Sequence, residues 1–300
     1  MPDSTTTVSD DFSVARAQPG PDRSALPLAG LLALAAAGFL TMLTETVPAG
    51  LLSSIGSGLG VSSARAGQLL TVYSLGSMLA AIPLTALTRR LPRRPLLLAT
   101  IVAVAVVNVI TMLSSAYDLT LAARLIAGAG AGVQWAMIAG YAMRLVDESN
   151  QGRALAVSMA GIPLALAFGV PGGTFLGSLI GWRSTFAVMA ALAVLVSAWT
   201  VWKLPNVSGE TAGDRISLRG VSMRPGLIVI LIAAFAFELG HMNLYTYVSP
   251  FLARAGLSDH VSAALLVFGV AAMIGLSAAG ALIDRHLRAV VLTAFDAARA

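Results

Sequence analysis

The chain is a succession of apolar runs separated by short polar turns. Eight windows are long and apolar enough to cross a bilayer: 27–51, 67–87, 95–113, 119–142, 154–178, 184–203, 226–252 and 261–283. A spanning helix needs about 20 mostly apolar residues. None of the windows alternates as a barrel strand would, and in lipid a helix satisfies its own backbone groups. The pattern therefore predicts an all-α membrane protein. Residues 1–24 are polar and rich in Ser, Thr, Asp, Pro and Gly, a composition expected to stay disordered. The apolar run that follows is too long for the core of a cleaved signal peptide, so it predicts the first span. Residues 204–225 form the longest internal connection and carry Pro205, Gly209, Gly213 and Gly220. They divide a six-helix bundle, 25–203, from a partial second bundle, 226–300.

The polar turns orient the spans. Arg89, Arg90, Arg93 and Arg94 sit within the turn 88–94 between the second and third windows. Short loops rich in Lys and Arg stay on the cytoplasmic side. With that turn inside, fifteen basic residues fall in inside segments and three (Arg65, Arg183, Arg254) in outside ones, while Arg124 lies within the fourth window. The N-terminus is thereby expected in the cytoplasm. The loop also has a weaker copy. GALIDRHLR (280–288) lies over 85–93 at an offset of 195 residues, and both stretches close an even-numbered span. Two halves in parallel repeat, the first complete and the second stopping after its second helix, account for this register.

Composition narrows the function. Of the 300 residues 57% are hydrophobic and 11% charged, with mean hydropathy +0.84; a soluble domain carries about a quarter charged residues. The net charge of +5 resides in loops, so it is a topology signal and not a nucleic-acid footprint. There is no cysteine, which removes disulfides, thiolate chemistry and Cys-bound metals. Lys203 is the one lysine among nineteen basic residues; with abundant Ala and Gly, this composition suits a GC-rich bacterial genome and a bacterial inner membrane. No HExxH pattern or Ser/His/Asp set is present, so neither an enzyme nor a metal or cofactor site is expected.

Candidate chemistry lies where charge enters the spans. Glu45 and Glu238 are the acidic residues well inside windows. A carboxyl group in hydrocarbon is costly and must face a partner, a proton or a polar interior. The 195-residue offset sets Glu45 opposite Gly240, two positions from Glu238, so both halves place an acid at nearly one depth. Each could bind protons or substrate, or could be kept protonated for packing. Arg124 is the arginine well within a window; it could serve a polar interior or snorkel to an interface. Glu238, His241 and Tyr245 share one helix face and form either a titrating stripe or a hydrogen-bond cluster. Gln134 and Asn108 could touch substrate or bond between helices. Gly161, Ala165, Gly169, Gly173 and Gly177 make a small-residue ladder, with Pro171 expected to bend the helix. GAGAG (128–132) lacks the context of a phosphate loop and serves as a packing surface. Trp182, in an outside turn, is expected to anchor at the membrane interface.

Five stretches together resemble a known family: TETVPAGLL (44–52), TRRLPRR (88–94), RLIAGAGAG (124–132), GIPLALAFGVPGGTFLG (161–177) followed by GWRSTF (181–186), and YTYVSPFL (245–252). In this order they resemble the drug:proton antiporter and sugar-efflux group of the major facilitator superfamily, which includes arabinose-efflux and phenicol-resistance permeases. The first loop departs from the family pattern, with Arg89 at the usual aspartate and Thr85 at the usual first glycine. The resemblance implies a monomeric secondary transporter that exports a drug or sugar-like solute in exchange for protons by alternating access. It implies proton coupling by Glu45, Arg124, Glu238 and His241, and substrate contacts at Gln134, Tyr245 and Asn108. Arg90, Arg93, Arg94, Asp284 and Arg285 would set topology and a gate. Gly161, Gly169, Pro171, Gly172 and Gly173 would form the fifth-helix antiporter motif. The family pattern has twelve helices, so the eight here leave a second expectation: a truncated, transport-inactive remnant or a membrane interaction partner.

Overall fold

A computed structural model describes residues 26–209, 226–237, 240, 256 and 266–282. All regular structure among the described residues is helical. Among the described residues six helices are long and apolar enough to span a membrane, and they match the first six windows. They are α1 (Leu28–Gly50), α3 (Ser63–Thr88), α4 (Arg93–Leu113), α5 (Tyr117–Met143), a segmented fifth span, and α9 (Trp182–Lys203). A short helix α2 (Leu52–Leu59) follows α1. Of the last two windows, the helices α10 (Leu227–Phe237) and α11 (Leu266–Leu282) are described. Glu238, His241, Tyr245, Asp284 and Arg285 lie outside the described residues.

Local chemistry explains where the helices start and stop. Pro27 precedes α1 and Pro92 precedes α4, positions where a fixed φ and a missing N–H cost nothing. The Ser62 side chain accepts from the Arg65 amide and caps α3, satisfying one of the orphan donors of a first turn. α2 ends at Gly60 in the left-handed region, φ 66°, where glycine carries no steric penalty. The fifth span runs as α6 (Gln151–Met159), α7 (Gly161–Leu164), a wide π turn over Ala165–Gly169, and α8 (Val170–Ile180). Pro163 and Pro171 cause the segmentation, since neither can donate to the carbonyl four residues back. The π turn, with the Val170 amide bonded to the Ala165 carbonyl, absorbs the fault at Pro171 that the sequence led us to expect as a bend.

Two close helix contacts set the register of the bundle. The first joins α3 to α5. A Cβ on Gly128 would collide with the Tyr73 carbonyl, one on Gly132 with the Ser77 carbonyl, and one on Gly76 with the Leu125 carbonyl. The GAGAG stretch is thus the surface on which α3 rests, backbone to backbone. The second joins α1 to the fifth span. Cβ atoms on Gly161, Gly169, Gly173 and Gly177 would strike Ala35, Leu43, Val47 and Leu51 respectively. Each partner lies four or eight residues after the last, so the ladder packs along one face of α1. Gly172 points away from it: a Cβ there meets nothing within 4 Å.

The bundle is apolar outside as well as inside. Leu87 is 77% exposed and Phe175 66%, while Arg124, Gln134 and Asn108 are almost completely buried. Such an arrangement suits lipid as the surrounding solvent. At the end bearing the basic loop, residues 204–209 fold back onto it. The Arg93 amide donates to the Val207 carbonyl at 2.8 Å, and the Tyr141 hydroxyl donates to the Pro205 carbonyl at 2.7 Å. Arg94 donates to the Val201 carbonyl in the last turn of α9, where a cation complements the helix dipole. At the other end Arg183 donates to the carbonyls of Gly58 and Ser114 and stacks on Trp182. Trp182 itself is 6% exposed and packs edge-on to Phe186. It is a core residue, not the interface anchor expected from its place in a turn.

Candidate functional site

The site is built around Thr44, one turn before Pro48 in α1. The Thr44 carbonyl would ordinarily accept from the amide of residue 48, but proline has no N–H. Nη1 of Arg124, from α5, donates to that carbonyl at 2.6 Å. Nη2 donates to the Glu45 carbonyl at 3.4 Å and Nε to the Leu69 carbonyl of α3 at 3.5 Å. The guanidinium carbon stands 4.8 Å from the centre of the Tyr73 ring, within cation–π range. Arg124 is 1% exposed, so it does not snorkel. Its charge is solvated by backbone carbonyls of two neighbouring helices and one aromatic face. The α3–α5 glycine contact makes this reach possible: Gly128, one turn beyond Arg124, brings α5 against Tyr73.

Glu45 follows directly in the chain and is partly buried. Its carboxyl lies within hydrogen-bonding reach of Ser74 on α3 and within electrostatic range of Arg124. The hydrogen bonds of Arg124 go to carbonyls, however. The acid and the cation are neighbours that do not share a hydrogen bond. A carboxyl left in this state can gain or lose a proton without first breaking a bidentate pair.

Around this pair the bundle interior is polar and closely bonded. The Asn108 amide of α4 donates to the Thr44 hydroxyl at 3.3 Å, so Thr44 is gripped through its side chain by α4 and through its carbonyl by α5. The Oδ1 atom of Asn108 is buried with no partner among protein atoms. Nε2 of Gln134 donates to the Ala37 carbonyl at 2.9 Å and to the Thr41 hydroxyl at 2.6 Å. The Thr100 hydroxyl donates to Oε1 of Gln134 at 3.0 Å. Gln134 therefore staples α1, α4 and α5 together. Gln134 and Asn108 are both 0% exposed and face neighbouring helices. That placement fits the interhelical alternative raised by the sequence better than direct substrate contact. Gln134→Leu is expected to strand the Thr41 hydroxyl and to remove the ties to the Ala37 carbonyl and the Thr100 hydroxyl, which keeps its bond to the Leu97 carbonyl. We expect a fall of several degrees in the thermal midpoint of purified protein, at about 1–3 kcal/mol for each stranded buried group, with substrate preference unchanged.

A separate cavity of about 240 Å³ lies between the fifth span and α11, walled by Met159, Ile162, Pro163, Leu166, Phe268, Gly269, Ala272 and Leu276. None of the polar groups above lines it. On either side of it the helices nearly touch: a Cβ on Gly269 would overlap Ala167 and one on Gly280 would overlap Ala156. Among the described residues no group of three His, Cys, Asp or Glu side chains is arranged to hold a metal ion.

The sequence singled out Glu45 and Arg124, and the structure brings them together. It did not single out Thr44, Pro48, Tyr73, Ser74, Thr41 or Thr100. One signal was available: a proline four residues after Thr44 means a free carbonyl in the middle of an apolar bundle, and a buried donor must answer it.

A profile described as Major Facilitator Superfamily matches residues 34–297. The chain belongs to the Major Facilitator Superfamily. It is 31% identical over 249 residues to the purine ribonucleoside efflux pump NepI of Escherichia coli (strain K12), covering 82% of this chain and 63% of that protein. It is 34% identical over 265 residues to a Pseudomonas aeruginosa protein named transcription regulatory protein OpdE, covering 86% of this chain and 65% of that one. Among solved structures it resembles a bacterial homologue of the human lysosomal transporter Spinster, in an inward-facing and unoccupied conformation. That match has a TM-score of 0.58 and 19% identity, and covers 85% of this chain and 60% of the other. It also resembles the proton:xylose symporter XylE, with a TM-score of 0.53 and 13% identity, covering 90% of this chain and 56% of the other. These two likenesses concern the fold. The chain thus spans somewhat under two thirds of the length of the curated relatives it matches. As a facilitator-superfamily protein it is a multi-pass membrane protein of a family of transporters, with efflux pumps among its relatives.

Proposed function

We infer that the protein exports a small solute in exchange for protons, by alternating access, in a bacterial inner membrane with its N-terminus in the cytoplasm. The observation that carries this reading is Glu45 held partly buried in the bundle beside Arg124, whose hydrogen bonds are spent on backbone carbonyls. A carboxyl kept in hydrocarbon without a hydrogen-bonded counter-ion is suited to carrying a proton. The fifth-span glycines support the antiporter reading by sealing α1 against that span. Glu238 and His241 would complete the coupling groups from the second half, with Tyr245 a substrate contact. Arg90, Arg93, Arg94, Asp284 and Arg285 would guard the cytoplasmic end, and the transporter would act as a monomer without cofactor or enzymatic activity.

For the solute we favour a purine ribonucleoside. The relatives named for that activity support it, and the sugar moiety of a ribonucleoside is consistent with the sugar-like solute that the motifs suggested. Cells expressing the chain are expected to export labelled inosine or guanosine faster than vector controls and to tolerate higher doses of toxic purine nucleoside analogues. A panel of phenicols and pentoses run alongside discriminates the other substrate classes. Equal rates and equal tolerance for every solute, with the protein present in the membrane, would leave the transport-inactive reading standing.

A further inference from the structure

We propose that Pro48 is a positioning residue for Arg124: by deleting one helix hydrogen bond it creates the acceptor on which the buried guanidinium docks, and so keeps that guanidinium off Glu45. The transport arm of this inference rests on the coupling roles given above; the structural arm does not.

An arginine 1% exposed in a membrane bundle needs acceptors for its donors, because its charge is effectively permanent. Helix interiors offer few, since each carbonyl is already bonded to the amide one turn on. The carbonyl four residues before a proline is the exception. Thr44 stands four residues before Pro48, and its carbonyl receives the shortest of the three Arg124 hydrogen bonds, 2.6 Å against 3.4 and 3.5 Å. The helix itself ends just beyond, with the Leu51 amide turning back to the Pro48 carbonyl at 3.1 Å. The Asn108 amide holds the Thr44 side chain, which fixes the carbonyl's direction. Arg124 thus supplies the hydrogen bond that Pro48 removed. With one N–H on each of its three nitrogens directed to a backbone carbonyl, the guanidinium is oriented along α1 and stays beside Glu45 without forming the bidentate carboxylate pair that such forks otherwise favour. The two signatures TETVPAGLL and RLIAGAGAG, 80 residues apart at their contact point, then act as one unit.

The test is a double-mutant comparison on the full chain, read by the thermal midpoint of purified protein and by proton-driven export in vesicles. Arg124→Met strands the Thr44 carbonyl and is expected to lower the midpoint by several degrees. Pro48→Ala restores an amide at position 48. In the Arg124→Met background it is expected to recover at least half of that loss. Pro83→Ala, which repairs a proline within α3, is the control and is expected to add only its own effect. Pro48→Ala alone is expected to lower coupled export several-fold, because the new amide competes with Arg124 for Thr44. If Arg124→Met yields too little folded protein for a midpoint, the yield of folded protein is the readout: Pro48→Ala in that background is expected to raise it, and no rise overturns the proposal.

A Pro48→Ala gain no larger in the Arg124 variant than in wild type overturns the proposal, whatever export does. Recovery of stability without recovery of export supports it and leaves the coupling role of Arg124 intact. Recovery of both supports the backbone substitution and overturns the coupling role of Arg124.

Discussion

Gly128→Ala is expected to cost about 3 kcal/mol or more, at or beyond the upper end of ordinary overpacking, and to abolish transport. The added methyl would overlap the Tyr73 carbonyl oxygen. That oxygen belongs to helix backbone and cannot turn aside as a side chain would. α3 and α5 must separate, and the separation carries the Tyr73 ring away from the Arg124 guanidinium and lengthens the reach of Arg124 to Thr44. The comparison that isolates this effect is Gly130→Ala, two residues along the same helix, where a Cβ meets nothing within 4 Å. There the expected result is neutral or stabilising, since Ala is a better helix former than Gly by about 1 kcal/mol. Thermal midpoints of the two purified variants check both statements, and equal midpoints would refute the close contact. The assay must not depend on thiol labelling of native residues, because the chain has no cysteine.

Glu45→Gln is the second substitution with a large expected effect, and it separates chemistry from folding. The amide has the shape of the acid and can still bond to Ser74. It cannot carry a proton. The thermal midpoint should stay within a few degrees of wild type, because the hydrogen bonds of Arg124 go to backbone carbonyls that the substitution leaves in place. Gradient-driven export should fall at least about tenfold, the factor that 1.4 kcal/mol represents. Glu45→Asp, which keeps the proton site but retracts it by one methylene, should retain more export than the amide. A fully active Glu45→Gln would remove Glu45 from the coupling scheme and leave it a packing residue.

Much of this arrangement was legible in the residues. The six spans followed from the apolar windows because lipid imposes length and composition together. The small-residue ladder at 161–177 gave its own packing direction, since glycines one turn apart can only face one neighbour. The depth of Glu45 and Arg124 marked them for the reason that charge in hydrocarbon needs an explanation. What periodicity could not supply was orientation around each helix axis. In an amphipathic soluble helix the polar face points outward. In these spans both faces are apolar, so nothing in the sequence told Gln134 and Asn108 from residues facing a cavity. Their complete burial between helices appeared only with the packing. Trp182 was misplaced for a related reason. A tryptophan in a turn suggests an interface, but the ring turns inward onto Gly58 and Phe186. The role of Pro48 was written in the sequence as a four-residue spacing, yet it acquires meaning only when the donor that answers Thr44 is known to come from 80 residues away.

The most direct measurement is transport in inside-out vesicles containing the purified chain, loaded at one pH and diluted into another. With the vesicle interior more acidic than the medium, labelled ribonucleoside is expected to accumulate inside against its gradient, and to leak out again when an uncoupler collapses the pH difference. Accumulation that ignores the pH difference, or none at all from protein shown to be folded and inserted, would contradict proton-coupled export by this chain.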